Sequence, residues 1–306
     1  MKFKYIFTIS ILLLLFSKAQ GQTESQFTNY MYNVQQYNPA YVSIPKYSTI
    51  TGTFRSQWTG LDGAPESQWL NFGTPIANEK MGIGLNLMHD KIGPSSYKNF
   101  SVVYAYKIRL NEQLDLSLGV NGGGSFLDVD FTKGNFENPG DNAKNNINNE
   151  FYARIGAGAI LNAKDWFLGF SVPNFFKQDF YDAEVRNIVA DKIQYDLFAG
   201  YLVYLNRNMA LRPSVLAHAV EGNPITLNIN ANVLLYDRLS LGLGYRYDES
   251  VNGMAGFQIL DGLFIGYSYD FATNDFSDYH NGSHEIVVRF KFHKNDFSFS
   301  NALNSY

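Results

Sequence analysis

The chain has 306 residues, among them 24 Lys and Arg, 28 Asp and Glu, and no Cys. Charged residues make up only 17% and aromatic residues 16%, which is the opposite of the balance found in disordered chains and coiled coils. The formal net charge of −4 gives no electrostatic argument for nucleic-acid binding. The absence of Cys excludes a disulfide scaffold and Cys-ligated zinc.

Residues 1–21 have the pattern of a secretory signal peptide. Two lysines near the start are followed by an apolar stretch over 6–16, and Ala19 and Gly21 supply the small residues of a cleavage site. The apolar stretch is shorter than the roughly 20 residues that a transmembrane helix needs. We therefore expect an exported protein.

Beyond residue 21, apolar and polar residues alternate with period two, which predicts β-strands. Fourteen such segments follow one another, near 47–59, 66–74, 80–89, 97–110, 113–125, 150–161, 165–172, 192–205, 208–219, 224–235, 238–248, 251–260, 262–270 and 283–292. An even number of strands fits a closed antiparallel barrel with both termini on one side.

The connections between these segments alternate in length. Every second connection, beginning with 75–79, has five residues or fewer, whereas the long connections 126–149 and 173–191 belong to the other set. Bacterial outer-membrane barrels have short periplasmic turns and longer outer loops in this order. The sequence thus predicts an all-β fold, a transmembrane antiparallel β-barrel of about 14 strands with both termini periplasmic.

The barrel is expected over 47–292, between two periplasmic segments. Residues 293–306 form a short C-terminal tail, and residues 22–46 contain six large apolar side chains, too many to remain solvated. Since Asn38-Pro39 favours a turn, we expect 22–46 to form an ordered N-terminal strap against the periplasmic mouth of the barrel.

The two faces of the predicted wall differ in composition. The outward face is formed by Leu, Ile, Val and Tyr with few charges, as lipid requires, and in the closing strand 283–292 it includes Val288, with Arg289 inward. The inward face is rich in Gly and Asn: Gly82, Gly84, Gly119, Gly156, Gly158, Gly242, Gly244, Gly266, Asn228, Asn230 and Asn232.

Small inward residues leave room for another backbone, so we expect a polypeptide in the lumen. It is either a segment of a partner, contacting Gly242, Gly244, Gly266 and the amides of Asn228, Asn230 and Asn232, or the protein's own apolar loop 173–191. We favour the partner.

No recognisable catalytic motif is present. The five histidines lack a partnered nucleophile motif, and the sequence contains no G-x-S-x-G, H-E-x-x-H or P-loop, so we expect no enzymatic activity and no cofactor. The loop 128–134 carries alternate carboxylates but not the Gly and Glu positions of an EF-hand. A loose loop calcium site and a solvated loop both remain as interpretations there, and no metal site is predicted.

Several short motifs together resemble the PorP/SprF family of type IX secretion outer-membrane proteins. They are Tyr30-Met-Tyr, Tyr37-Asn38-Pro39-Ala40-Tyr41, Arg55-Ser-Gln-Trp58, Asp90-Lys-Ile-Gly-Pro94, Leu211-Arg-Pro213-Ser214, Leu243-Gly244-Tyr245-Arg246, Gly266-Tyr-Ser-Tyr-Asp270 and Ser283-His284-Glu285-Ile286. The resemblance implies that the motif residues Tyr30, Asn38, Pro39, Tyr41, Arg55, Trp58 and His284 contribute to partner contacts.

The same resemblance implies a non-enzymatic barrel that binds, retains or assists export of a surface cargo protein of the adhesin or gliding-motility type, through the C-terminal sorting domain of that cargo. The implied partners are this cargo, other type IX secretion components and outer-membrane lipid, without nucleic acid. The expected location is the outer membrane of a gram-negative bacterium. The alternative function is a passive outer-membrane channel or a hydrophobic-solute transporter.

Overall fold

The computed structural model describes residues 26–130, 132, 146–176, 178–179 and 190–292. Their backbone is dominated by strands: β1 (Thr49–Ser56), β2 (Glu66–Ile76), β3 (Met81–Ile92), β4 (Ser95–Asn111), β5 (Leu114–Val129), β6 (Ile147–Ala163), β7 (Trp166–Val172), β8 (Gln178–Asp179), β9 (Ala190–Asp191), β10 (Gln194–Tyr201), β11 (Val203–Asn206), β12 (Met209–Val220), β13 (Thr226–Leu235), β14 (Leu239–Arg246), β15 (Ser250–Leu260), β16 (Leu263–Ala272) and β17 (Ser283–Lys291). No helix within these ranges is long and apolar enough to cross a membrane.

The strands form one closed antiparallel barrel. β10 and β11 are two parts of a single strand interrupted at Leu202, and β10 joins β7 to β12. The seam lies between β1 and β17, where Thr49 pairs with Lys291 and Ser56 with His284. With β10 and β11 taken together, and the separate β8–β9 pair set aside, the barrel has the fourteen strands that the alternation predicted.

The connections confirm the predicted alternation in length. The turns at one end are 77–80, 112–113, 164–165, 207–208, 236–238 and 261–262, and we call this the short-turn end. The opposite, long-loop end carries the connections 57–65, 93–94, 130–146, 173–193, 221–225, 247–249 and 273–282. This asymmetry fits the two sides of an outer membrane.

Successive side chains along the strands point alternately to the outer wall and to the lumen, as the period of two predicted. In β17, Ile286, Val288 and Phe290 are exposed on the outer wall, whereas Val287 and Arg289 are buried inside. A charge on the outer face at mid-membrane depth costs about 2–4 kcal/mol, so the apolar outer face is what lipid demands.

The lumen is filled by residues 26–47, which we call the plug. The plug contains three short 3-10 helices, Tyr30–Tyr32, Val34–Gln36 and Pro39–Ser43, and nearly all of its side chains are buried. The aromatic side chains predicted to order this segment are therefore buried within the barrel, not against its mouth. Inside the lumen these aromatic side chains are surrounded by protein on all sides, whereas in a strap at the mouth one side would remain exposed.

The plug runs along the length of the barrel. Gln26 lies at the long-loop end, where its amide donates to the hydroxyl of Thr226 over 3.0 Å, and Tyr47 lies at the short-turn end beside Lys291. The first described residue and the end of β17 thus lie at opposite ends of the barrel, whereas the start of β1 and the end of β17 lie together at the short-turn end. A periplasmic location of the two chain termini stays a prediction. The predicted signal peptide and the tail 293–306 fall outside the described residues.

Candidate functional site: a plugged lumen and a long-loop platform

Glycines on one side of the barrel allow the plug backbone to approach the wall. A Cβ atom at Gly82 would collide with the carbonyl of Val42, and one at Gly119 would collide with the backbone between Pro39 and Ala40. The prediction that inward glycines admit a polypeptide backbone is therefore confirmed for β3 and β5. The polypeptide is the chain's own N-terminal segment.

Hydrogen bonds attach the plug to strands around the whole barrel. The side chains of the plug act as donors to backbone carbonyls and to inward amides and hydroxyls, which satisfies polar groups that the lumen buries. The contacts include Tyr30 with Ser214 (3.0 Å), Asn33 with Asn71 (2.8 Å), Gln35 with Asn86 (2.7 Å), Asn38 with the carbonyl of Phe170 (2.9 Å) and Ser43 with Ser117 (3.0 Å).

A buried charge cluster holds the first residues of the plug near the long-loop end. The guanidinium of Arg55 lies 2.7 Å from Asp270 and 3.2 Å from Glu285, and all three side chains are almost completely buried. The two carboxylate oxygens of Glu285 accept the backbone N–H groups of Thr28 (2.7 Å) and Asn29 (2.9 Å). Charge-assisted bonds of this kind are about twice as strong as neutral ones.

Arg246 completes this cluster from the other side of the plug. Its guanidinium is fully buried, donates to Asn228 over 2.6 Å and lies 2.8 Å from Glu249 and 3.7 Å from Asp270. The hydroxyl of Thr28 donates to Asp270 and accepts from Arg246 at 3.3 Å. The plug is thus part of the ion-pair network.

A second set of cations surrounds the plug near the short-turn end. The ring of Tyr32 has the guanidinium of Arg212 at 5.6 Å and that of Arg289 at 5.9 Å, and the hydroxyl of Tyr32 accepts from Arg212 over 3.1 Å. Lys291 lies 4.6 Å from the ring centroid of Tyr47. These are cation–π geometries, and they anchor the other half of the plug.

The predicted lumen residues face inward, but they contact the protein itself. Asn230 donates to the carbonyl of Thr28 over 3.1 Å, so its polypeptide ligand is the plug. A Cβ atom at Gly242 would meet the amide oxygen of Asn232, and one at Gly244 that of Asn230. These glycines make room for asparagine side chains, and Gly266 makes room for side chains including Val287 and Phe264. A partner contact at these positions stays a prediction.

The alternative plug, loop 173–191, is described only in part. The carbonyl of Pro173 accepts from the inward amide of Asn121 over 3.1 Å, so the start of the loop reaches over the lumen. Phe175 and Phe176 are exposed, and Phe180-Tyr181 lie outside the described residues.

Three connections at the long-loop end form one ordered surface, which we call the platform: 57–65, 247–249 and 273–282. The backbone N–H of Thr59 donates to Gly282, that of Asn281 to Thr59, and that of Thr273 to Glu249, over 2.7 to 2.9 Å. These backbone hydrogen bonds link 273–282 to both of the other connections. The platform is therefore a formed surface above the charge cluster.

Aromatic rings and carboxylates dominate the platform. The ring of Trp58 lies 5.0 Å from that of Phe276 and 6.3 Å from that of His280, while Tyr247 and Tyr279 are 65% and 70% exposed. The sequence of the three connections contains no Lys or Arg. Their charged groups are acidic: the exposed Asp62, Asp248, Asp275 and Asp278, and the half-buried Glu249. Burial lowers the pKa of His280, which favours its neutral form. The turns at the other end, in contrast, carry both signs of charge.

The family model of the type IX secretion system membrane protein PorP/SprF matches residues 19–290. The chain belongs to the PorP/SprF family. No curated protein matches the chain.

Solved outer-membrane barrels share the fold of this PorP/SprF protein. A FadL homologue of Pseudomonas aeruginosa is 13% identical, with a TM-score of 0.50, over 90% of this chain and 96% of that one. The toluene transporter TodX of Pseudomonas putida is 10% identical, with a TM-score of 0.51, over 89% and 95% of the two chains. At these identities the likeness concerns the fold alone.

The PorP/SprF motifs lie at the plug and at the platform. Tyr30, Asn38 and Pro39 are buried in the plug, Tyr41 packs against its core, and Arg55 is in the charge cluster. Trp58 belongs to the platform. His284 is different: it faces outward, where its ring nitrogen bonds the hydroxyl of Tyr267 over 2.7 Å. The motifs that were interpreted as partner contacts thus mainly assemble the protein itself.

Sequence reasoning missed four residues that hold the plug: Thr28, Arg246, Asp270 and Glu285. Arg246 and Asp270 are each the isolated inward charge of an alternating strand, whereas Glu285 shares the inner face of β17 with Arg289 and Lys291, and all three occur within the quoted motifs. A charged residue at an inward position of an alternating strand was the available signal. Their proximity required the strand register.

The loop 128–134, for which a calcium site and a solvated loop were the two interpretations, shows ordinary loop bonds at its described residues. Asp128 accepts from Lys98 (3.1 Å) and from the backbone N–H of Asn149 (2.9 Å), and Asp130 accepts from Thr132. Among the residues that the structure describes, no group of three or more His, Asp or Glu side chains could hold a metal ion.

Proposed function

We propose that this PorP/SprF protein is a non-enzymatic outer-membrane anchor that retains an exported type IX cargo protein on its platform. The barrel supplies the attachment to the membrane, and the long-loop end faces the cell exterior. The cargo is an adhesin or motility protein that reaches the surface by the same secretion system.

The observation that carries this proposal is the plug. Residues 26–47 occupy the lumen and bond with strands on every side, so a partner in the lumen would have to displace an ion-paired, hydrogen-bonded segment. The platform requires no such displacement. A second function as a solute channel would meet the same obstacle, and the likeness to TodX is one of fold alone.

The platform also indicates the chemistry of the partner. Exposed rings beside carboxylates suit a polypeptide with Lys or Arg side chains, which can form ion pairs with Asp275 and Asp278 and stack on Tyr247 or Tyr279. Aromatic residues and Arg are enriched at protein interfaces, and the rims of interfaces are polar. We expect the cargo to present a basic surface.

The test is charge reversal at the two ends of the barrel. Asp275→Lys combined with Asp278→Lys should release one type IX cargo from the cell surface into the medium, measured by quantitative mass spectrometry of both fractions. Asp261→Lys, in an exposed turn at the short-turn end, is the matched control and should leave retention unchanged.

Two results would contradict the proposal. Retention of every exported protein by the platform variant, with normal amounts of barrel in the membrane, would show that cargo binds elsewhere. A steady open-channel current from the pure wild-type protein in planar bilayers would support the channel function instead.

A further inference from the structure

The outer wall of the barrel contains a groove that the retention of cargo does not use. It has a volume of about 620 Å³ and extends from β17 across β1, β2, β3 and β4 to β5 on the side that faces lipid. Gly52 lines the groove, and its missing side chain leaves no atom within 4 Å of where a Cβ would lie. A groove in this position is open to the acyl region of the membrane.

The strand register divides the groove into two rows. The lower row, Val288, Gly52, Leu70, Leu87 and Phe100, pairs directly across neighbouring strands and is entirely apolar. The upper row lies two residues nearer the long-loop end and consists of Ile286, Phe54, Gln68, His89, Lys98 and Phe126. The groove is therefore apolar below and polar along part of its upper edge.

The upper row supplies hydrogen-bond donors at the membrane boundary. Below Lys98, the outward residues of β4 are apolar or aromatic over the next five positions, from Phe100 to Ile108, which places Lys98 at the outer border of the apolar band. Its ammonium has three N–H donors, and one of them bonds Asp128 over 3.1 Å. The remaining donors, with the amide of Gln68 and the Nδ1 atom of His89, whose Nε2 bonds the hydroxyl of Ser96 over 3.1 Å, point to an anionic head group.

We propose that this groove binds a phosphorylated glucosamine lipid of the lipid A class. One acyl chain lies along the lower row over Gly52, and a phosphate of the head group contacts Lys98, His89 and Gln68. The choice of lipid A rests on the orientation used in the proposed function, because the polar row lies at the long-loop end and therefore in the outer leaflet. The retention of cargo and the binding of lipid are separate measurements, so either can fail alone.

The test is native mass spectrometry of the full-length protein, purified in detergent and titrated with lipid A or with phosphatidylglycerol. Gly52→Leu fills the groove and should raise the dissociation constant for lipid A about tenfold, equivalent to about 1.4 kcal/mol. Gly253→Leu is the matched control, because Gly253 is also an outward glycine with nothing within 4 Å, and it should bind as the wild type does. Lys98→Ala should weaken the binding of lipid A through its phosphate, while the contact of the acyl chain with the lower row is retained.

The possible outcomes separate the alternatives. Heat-modifiable gel mobility verifies that each variant is a folded barrel. Unchanged lipid A binding by Gly52→Leu would overturn the groove as the site, and tighter binding of phosphatidylglycerol than of lipid A would overturn the choice of lipid. A dimer that Gly52→Leu dissociates, without bound lipid, would assign the groove to contacts between two copies of the chain.

Discussion

Replacing Glu285 with Ala should undock the first turn of the plug while the barrel stays intact. The carboxylate is fully buried and accepts two backbone N–H groups of the plug, from Thr28 at 2.7 Å and Asn29 at 2.9 Å, in addition to its 3.2 Å contact with Arg55. Removing one member of a buried ion pair costs about 3–5 kcal/mol. Since Arg55 keeps its 2.7 Å contact with Asp270, we expect a value near the lower limit, about 3 kcal/mol.

A loss of this size changes the equilibrium between the docked and undocked plug by roughly 10²-fold. The backbone pairing of β17 does not depend on this side chain, so the effect should be local. Hydrogen-exchange mass spectrometry in nanodiscs measures it directly: protection of the peptide around 27–36 should fall by roughly that factor, with the strands unchanged.

Glu66→Ala is the control for this experiment, because Glu66 is an exposed glutamate at the same end of the barrel. Unchanged protection of the plug in Glu285→Ala would refute the role assigned to the charge cluster. An equal loss of protection in the strands would show that the carboxylate supports the barrel and not the plug specifically.

Three further predictions concern the lumen, the wall and the platform. Gly119→Ala should destabilise the protein by about 1–3 kcal/mol, because the added Cβ would meet the plug backbone; the variant should unfold at a lower temperature in a heat-modifiability series. Gly122→Ala, on the outer face of the same strand, should leave the unfolding temperature unchanged. Val288→Lys should lower the yield of folded barrel in membranes, at a cost of about 2–4 kcal/mol, while Arg289→Lys on the inner face should assemble; equal yields would mean that the facing is wrong. Burial lowers the pKa of His280, so the His280 ring binds a proton less readily in the ordered platform than in a platform that has lost its order. The backbone of the platform should therefore lose hydrogen-exchange protection as the pH falls through the ordinary titration range of histidine. A His280→Gln variant should not show this pH dependence.

The barrel could be predicted because its rules are local. Alternation with period two gives both the strands and their facing, since a residue such as Val288 must meet lipid while its neighbour Arg289 cannot. The even number of strands then indicates closure, and the difference between short turns and long loops indicates which end of the barrel faces which side of the membrane. None of these inferences requires knowledge of which distant residues meet.

The plug was predicted only in pieces. Its aromatic residues predicted order, and glycines such as Gly119 predicted that a backbone enters the lumen, yet the two observations were not connected. Short 3-10 helices have no periodic pattern that marks them as an element. The charge cluster is even harder to predict from the sequence, because Arg55 and Glu285 become neighbours only when β1 pairs with β17 and closes the barrel.

The plug imposes an order on the biogenesis of the barrel. It is synthesised before β1, but Thr28 finds its partner Glu285 only 257 residues later in the chain. Contacts between such distant residues form late, because a large loop entropy must be overcome first. The bond from Thr28 to Glu285 and the pairing of β1 with β17 both join the two ends of the barrel sequence, so docking of the plug and closure of the seam belong to the same late stage of folding.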